Sequence, residues 1–502
     1  MAALRAVDIV KKLGNQAARL TEGNLRKAFV GGVWRDAHSK KTFLVYNPAT
    51  WEVIAEVPDM NKDDVLEAIS EAHTAQKSWC RITAKERASV LKNCHTRLLD
   101  VKDHLAELIT LEQGKPLVEA QAEVAYGLSF VEWFAEESSR VYGDIIPAPI
   151  KGQRTLVIKQ PVGVAALIVP WNFPCAMLLR KASAALAAGC SVVAKPSEET
   201  PLSAMVIAEV FAQGGTPPGL FNLVTCSRPQ ISEVSDAICT SNDISKVSFT
   251  GSTAVGRLLM RNCADSIKRL SLELGGNAPL IVFKSADVET AVKGTIAAKF
   301  RNTGQTCIAA NRILVQDVIF DEYVEQLTKK VKGLKLGKGF DTGVNQGPLI
   351  TPKAIDKVTQ LVSDATSKGA EIITGGNIDD QLGTCFYRPS VITNMDPSMD
   401  MTHEEIFGPV APITKFHDED EAIALANNTS YGLASYFFTN DLRQSWRVAE
   451  QIECGILGIN EGAVSAASVP FGGIKQSGLG REGSKYGINE YVDIKYLCIG
   501  GL

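Results

Sequence analysis

The chain has 502 residues, a net charge of −4, 45% hydrophobic and 22% charged residues, which describes a globular protein too long for one core. No basic stretch or motif points to nucleic acid. The longest apolar runs, such as Val162 to Val169, stop far short of the roughly 20 residues of a membrane-spanning helix. Eleven scattered cysteines without a C-x-x-C pair read as free thiols of a reducing compartment, and six unclustered histidines without H-E-x-x-H leave no histidine zinc site.

Met1 to Leu20 carries Arg5, Lys11, Lys12 and Arg19 against one acid, Asp8, with Ala3, Leu4, Val7, Val10 and Leu13 on one helical face. Two readings stay open: a mitochondrial transit peptide, or an ordinary N-terminal helix, the absence of serine before Ser39 speaking against the first. Val33-Trp34 and Thr42 to Tyr46 read as a strand pair, with Asn47-Pro48-Ala49-Thr50 as its turn. Between Lys62 and Val141 the spacing is helical (Val65, Ile69, Ala72, then Leu98, Val101, Leu105, Leu108, Ile109), so two or three long helices are expected. His73, His95 and His104 within them read as surface or satisfied histidines. Tyr142 to Lys159, punctuated by Gly143, Pro147, Pro149 and Gly152, reads as a hairpin leaving the body of the fold, either a subunit contact or a linker.

From Pro161 the pattern is regular. Val162–Val169, Ser191–Ala194, Phe221–Val224, Lys246–Phe249 and Leu270–Leu274 read as strands, with helices at Ala176–Ala188 and Ser203–Ala212 among those between. Such alternation means βαβ units and a parallel sheet. A second alternating block runs from Pro279 to Asn460, and Tyr491 to Leu497 reads as a strand able to extend another subunit's sheet.

Five groups of residues carry chemistry. Cys307 follows Gly304-Gln305-Thr306 in a polar turn between a helix (Val288 to Phe300) and a strand (Arg312 to Val315). Backbone N–H groups at such a turn are expected to lower its thiol pKa and to hold an oxyanion. Phe249-Thr250-Gly251-Ser252-Thr253-Ala254-Val255-Gly256 passes from strand to helix; it is neither a P-loop nor G-x-G-x-x-G, and reads either as a phosphate cradle at a helix N-terminus or as tight packing. Lys195-Pro196-Ser197-Glu198 ends an earlier strand, where Lys195 and Glu198 suit the two hydroxyls of an adenosine ribose and the carboxylate disfavours a 2′-phosphate. Asn172, set in Pro170-Trp171-Asn172-Phe173-Pro174, reads as a rigid amide donor suited to an oxyanion, and Glu273, before Gly275-Gly276, as a glutamate that can move towards a substrate as general base; for each, taken singly, an ordinary loop or strand-end residue is the other reading.

Taken in order, PWNFP, KPSE, FTGST, ELGG, GQTC, Glu405-Ile406-Phe407-Gly408-Pro409 and Pro470-Phe471-Gly472-Gly473 resemble the NAD(P)-dependent aldehyde dehydrogenase superfamily, from about Phe29 to the C-terminus. Lys299 to Cys307, Asn460-Glu461-Gly462 and Gly483 to Gly487 resemble its branch that oxidises succinate semialdehyde. The resemblance implies an α/β fold with a Rossmann-type cofactor domain (28–145 and 161–275), a second α/β catalytic domain (276–468) and a small β oligomerisation element (146–160 and 478–502), after an N-terminal extension (1–27). It implies Cys307 as nucleophile, Glu273 as base and Asn172 with the Cys307 N–H as oxyanion holder. It places NAD against Trp171, Lys195, Pro196, Ser197, Glu198 and the run Gly251, Ser252, Thr253, Ala254, Val255 and Gly256, with Glu405 on the nicotinamide ribose and Phe407 near the nicotinamide. Arg180, Arg301 and Ser465 match positions that bind the substrate's distal carboxylate. It further implies a homo-oligomer, tetramer rather than dimer, and a mitochondrial location, with the cytoplasm as alternative. Some members of this branch have a second cysteine two residues after the nucleophile; here it is Ala309, so no disulfide switch is expected there.

Overall fold

The structure is a computed structural model describing residues 27–502; the basic amphipathic segment Met1 to Leu20 lies outside the described residues. Among those described, no helix is long and apolar enough to cross a membrane, and no group of three or more metal-binding side chains forms.

Two large sheets organise the molecule. The first runs Val33–Arg35, Ala28–Val30, Phe221–Leu223, Ser191–Lys195, Val164–Ile168, Ile244–Thr250, Arg269–Glu273, Gly478–Leu479. The five strands from Phe221–Leu223 to Arg269–Glu273 are parallel, in the order 3-2-1-4-5 of a nucleotide-binding half-fold. The strand order reverses between Val164–Ile168 and Ile244–Thr250, and ligands of such sheets lie in the crevice there, outside the carboxyl ends of the strands. Val164–Ile168 and Ser191–Lys195 are buried along their whole length, which is why they read as unbroken apolar runs. The second sheet runs Glu371–Thr374, Ser390–Thr393, Val410–Phe416, Ala310–Gln316, Ala278–Val282, Ala434–Phe438, Ile456–Ile459, parallel except at its first strand.

Helices Lys62–Trp79, Ala84–Gln113 and Leu117–Glu137 fill the interval read as two or three helices. The first two start at capping boxes, Asn61 with Asp64 and Thr83 with Glu86, and the second stops at Gly114, φ 91°. Lys115 and Pro116 follow before the third begins.

One strand pairing differs from that expected. Val33–Arg35 pairs with Ala28–Val30, not with Thr42–Tyr46, which pairs instead with Val53–Pro58 across the Asn47–Thr50 turn. The missed partner has only three residues, too few to carry a periodic pattern. The C-terminal strand, Val492–Ile499, lies antiparallel to Arg154–Pro161 of its own chain, which also pairs with Asp144–Ile146. This small sheet exposes Ile145, Ile494 and Tyr496.

Candidate active site

The segment that carries Cys307 is shaped by its backbone. After helix Val288–Phe300, Asn302, Thr303 and Gly304 take φ values of 52°, 55° and 74°, so the chain doubles back through left-handed geometry. Asn tolerates this conformation, but for a β-branched Thr it is strained. A Cβ on Gly304 would stand 2.1 Å from the Gly408 carbonyl oxygen, so no side chain fits there. The Gln305 side chain pins the loop, donating to the Asn302 and Pro348 carbonyls (3.3 Å each) and accepting from Ile350 N–H (3.0 Å).

From the first sheet, Trp171 and Asn172 follow Val164–Ile168 directly. Asn172 Nδ2 donates to the Gln305 carbonyl (3.0 Å), tying this loop to the Cys307 loop. The link between the two sheets is Leu274 to Asn277. Here the glycines serve close approach rather than a swinging glutamate: a Cβ on Gly276 would lie 2.3 Å from the Cys307 carbonyl oxygen, and one on Gly275 3.0 Å from Glu405 Oε2.

These segments enclose a cavity of about 790 Å³. It gathers Trp171, Asn172, Arg180, Gly251, Ser252, Arg301, Cys307, Glu405, Phe407 and Ser465 of the residues singled out from the sequence. Glu273 and the groups Lys195 to Glu198 and Thr253 to Gly256 are not on its wall. Lys195 is nevertheless level with Ile168 at the carboxyl edge of the sheet, and forms an ion pair with Glu198 (3.6 Å). Ser252 caps helix Thr253–Asn262 by accepting Val255 N–H (3.4 Å). Trp171 and Phe407 meet edge to face, centroids 5.5 Å apart, with Phe407 in the left-handed region at φ 54°.

The cavity's polar groups are incompletely paired. Arg180 is buried and forms an ion pair through Nε with Glu482. Its Nη2 donates to Met177 Sδ (3.1 Å), its guanidinium lies 4.4 Å from the Phe471 ring centre, and Nη1 has no partner. Both carboxylate oxygens of buried Glu273 lack a hydrogen-bond partner; one points where a Cβ on Gly472 would lie, 2.8 Å away. Arg301 stands 5.2 Å from the Phe173 ring centre.

These surroundings set the acidities. Burial, reinforced by the charge of Glu405, pushes the Cys307 thiol up to about 12, although Arg180 pulls the other way. The lowered thiol pKa expected from the turn is not found, because desolvation of the thiolate outweighs nearby N–H dipoles. Burial and then Glu482 hold Glu273 well above the ordinary carboxylate range. Burial raises Glu405 to about 7 against the Gly276 N–H it accepts (3.2 Å). Burial likewise lowers Lys299 to about 7, against the charge of Glu405.

A thiol and an amide donor share this cavity at the crevice of a nucleotide-binding sheet, with the buried carboxyl of Glu273 off its wall, parts that suit a thiol-dependent oxidoreductase. The chain belongs to the aldehyde dehydrogenase family, whose model matches residues 34–497. It is 52% identical over 497 residues to the mitochondrial succinate-semialdehyde dehydrogenase of Arabidopsis thaliana, covering 99% of this chain and 92% of that protein. Among solved structures it resembles an NADP dependent enzyme of E. coli (49% identity, TM-score 0.94, covering 95% of this chain and 99% of that one). It also resembles betaine aldehyde dehydrogenase of Staphylococcus aureus in complex with NAD+ (36% identity, TM-score 0.92, covering 97% and 96%).

Several contributors to the site were missed in the sequence. Glu482 forms ion pairs with both Arg180 and Lys181, and Tyr126 lines the cavity, as does Phe471, which was read only as part of a family motif. Lys115, Glu119 and Glu123 lie behind it, touching the loops of Asn172 and Cys307. The only available signal was the four-residue spacing of the two glutamates, which equally describes a solvated helix face.

Proposed function

We propose that this chain oxidises succinate semialdehyde to succinate with NAD. The observation that carries this reading is one cavity wall holding Cys307 and Asn172 together with Arg180, Arg301 and Ser465, with Arg180 Nη1 unpartnered. Two guanidinium groups and a hydroxyl suit the distal carboxylate of a short ω-carboxy aldehyde through directed, charge-assisted hydrogen bonds.

The residues fit a nicotinamide dinucleotide. Glu405 accepts Gly276 N–H (3.2 Å) and has acceptor capacity left for ribose hydroxyls. Gly251 and Ser252 present a helix N-terminus suited to the pyrophosphate, and the Trp171–Phe407 pair offers a flat-ring site. Lys195 with Glu198 would take the adenosine ribose, flanked by Pro196, Ser197 and the run Thr253 to Gly256. When bound, NAD supplies the hydride acceptor.

In this scheme Cys307 Sγ bonds to the aldehyde carbon as its proton passes to Glu273, and Asn172 Nδ2 and the Cys307 N–H hold the resulting oxyanion. Loss of hydride from that carbon, two electrons in all, restores the carbonyl as a thioester. Glu273 gives up the thiol's proton to solvent and then takes one from water, which attacks the acyl carbon; the C–S bond breaks, the departing thiolate recovers that proton from Glu273, and the new carboxyl loses its proton to solvent as succinate leaves. The 28–145 and 161–275 segments would form the cofactor domain and 276–468 the catalytic one. The 146–160 and 478–502 segments, with their exposed Ile494 and Tyr496, would join subunits into a homo-oligomer, a tetramer in our reading. The name of the Arabidopsis relative supports a mitochondrial location.

The test compares NADH production from succinate semialdehyde and from butanal. A preference of about 10²-fold in kcat/KM, about 3 kcal/mol, is expected for the carboxylate, and Arg180→Met removes most of it. Equal rates would overturn the semialdehyde assignment while leaving an aldehyde dehydrogenase.

A further inference from the structure

Behind the cavity lies a buried charged cluster that the reaction scheme does not use. Lys115 sits between helices Ala84–Gln113 and Leu117–Glu137, and its side chain and that of Glu123 are wholly buried, 2.5 Å apart. Lys115 Nζ also donates to the backbone carbonyl of Asn172 (2.8 Å) and lies 3.9 Å from the centre of the Phe173 ring. The other oxygen of Glu123 accepts the N–H groups of Cys175 (2.9 Å) and Ala176 (3.3 Å), capping helix Pro174–Ala188, whose start has no side-chain cap of its own. One turn away, Glu119 accepts Asn302 N–H through both oxygens (2.9 and 3.1 Å). Asn302 Nδ2 closes the circuit by donating to the same Asn172 carbonyl (2.9 Å).

We propose that Lys115, held by Glu123, is a positioning residue that fixes the Asn172 amide relative to Cys307. The inference rests on the reading of Asn172 as oxyanion holder. The Asn172 carbonyl takes two donors, one from Lys115 and one from the Cys307 loop, so the peptide that carries the amide is clamped from both sides. Removing the lysine frees that peptide to rotate, and the Asn172 amide then meets the oxyanion at the wrong distance, an effect confined to the transition state. Removing one member of a buried ion pair strands the other charge, whereas replacing both is tolerated. The informative variant is therefore Lys115→Met with Glu123→Gln, in which the glutamine oxygen keeps an acceptor for the helix start.

The experiment measures steady-state kinetics with succinate semialdehyde and NAD, together with NAD binding and thermal midpoint, for the paired variant, for Asn172→Ala, and for all three changes combined. The paired variant is expected to lose about 10²-fold in kcat, the scale of one oxyanion donor, with aldehyde KM and NAD affinity within about threefold of the parent. The combined variant is expected to be no slower than Asn172→Ala, because a residue acting through Asn172 has nothing left to position. Multiplicative losses, or a fall in NAD affinity matching the fall in kcat, would make the cluster merely structural and overturn the proposal. If Asn172→Ala itself keeps full kcat, the oxyanion reading fails instead. Should the paired variant not fold, Asn302→Gly removes the second donor to the same carbonyl at a position of φ 52° that glycine accepts. The same non-additivity is expected of it, and additivity would count against the clamp.

Discussion

Two buried charge clusters flank the Pro170–Pro174 loop, and they differ in how far their hydrogen bonds are completed. In the first, every charged side chain has partners: Lys115 with Glu123 and the Asn172 carbonyl, Glu123 with two backbone N–H groups, Glu119 with Asn302 N–H. In the second, Arg180 and Lys181 are joined to Glu482, yet Arg180 Nη1 and both oxygens of Glu273 have no hydrogen-bond partner. An unpaired buried polar group costs stability, so two such groups beside a cavity are candidates for contact with what binds there. The completed cluster is thus suited to holding the site's loops in place, and the open one leaves groups free to meet what binds there.

Substitutions that separate activity from stability break or sharpen this contrast. Cys307→Ala is expected to remove turnover by at least about 10⁴-fold while NAD binding, followed by fluorescence titration, persists; loss of NAD binding would place Cys307 in the scaffold. Glu273→Gln is expected to lower kcat by about 10²- to 10⁴-fold without lowering the thermal midpoint, since no partner is lost. The pH profile adds a sign. The Glu273 pKa is raised, by burial first and then by Glu482, so its base form appears at higher pH than that of an ordinary carboxylate. The parent's kcat should thus climb with pH above the ordinary carboxylate range, and this climb should vanish in Glu273→Gln. A profile identical in both proteins would deny Glu273 the role of base. In the completed cluster the expectation reverses. Glu123→Leu strands the Lys115 charge and uncaps helix Pro174–Ala188, destabilising the fold by about 3–5 kcal/mol, read as an earlier urea midpoint.

The same contrast governs what was legible in the sequence. Strands such as Val164–Ile168 are apolar throughout because both faces are covered, and this leaves a local mark. Cys307 stood out because its neighbours Gly304, Gln305 and Thr306 are unusual company for a core thiol. The environment of that thiol did not stand out. Its pKa is set by burial within a cavity whose wall includes Phe471 and by the charge of Glu405, both far along the chain, so the local turn pointed to the wrong direction of shift. Lys115, Glu119 and Glu123 were invisible for the same reason: each has a partner 8 to 183 residues distant, and nothing in their spacing tells a buried clamp from a solvated helix face.

A third charged pair tests the contrast at its weakest point. Lys195 and Glu198 stand 3.6 Å apart with Glu198 about one-fifth exposed, too far for a good hydrogen bond and therefore open to insertion of a ribose. If the pair belongs to the chemistry, the charge of Glu198 matters chiefly to what binds: a carboxylate accepts two ribose hydroxyls but repels a 2′-phosphate. Glu198→Gln retains shape and an acceptor while removing the charge. It is expected to raise kcat/KM with NADP relative to NAD by about tenfold, about 1.4 kcal/mol, with the thermal midpoint unmoved because the pair is partly solvated. The resemblance to both an NADP dependent enzyme and an NAD+ complex shows that this fold accommodates either cofactor, so the choice falls to individual side chains near the adenosine ribose. An unchanged NADP-to-NAD ratio in Glu198→Gln would return this pair to the scaffold and move cofactor discrimination to another group at the carboxyl edge of the first sheet.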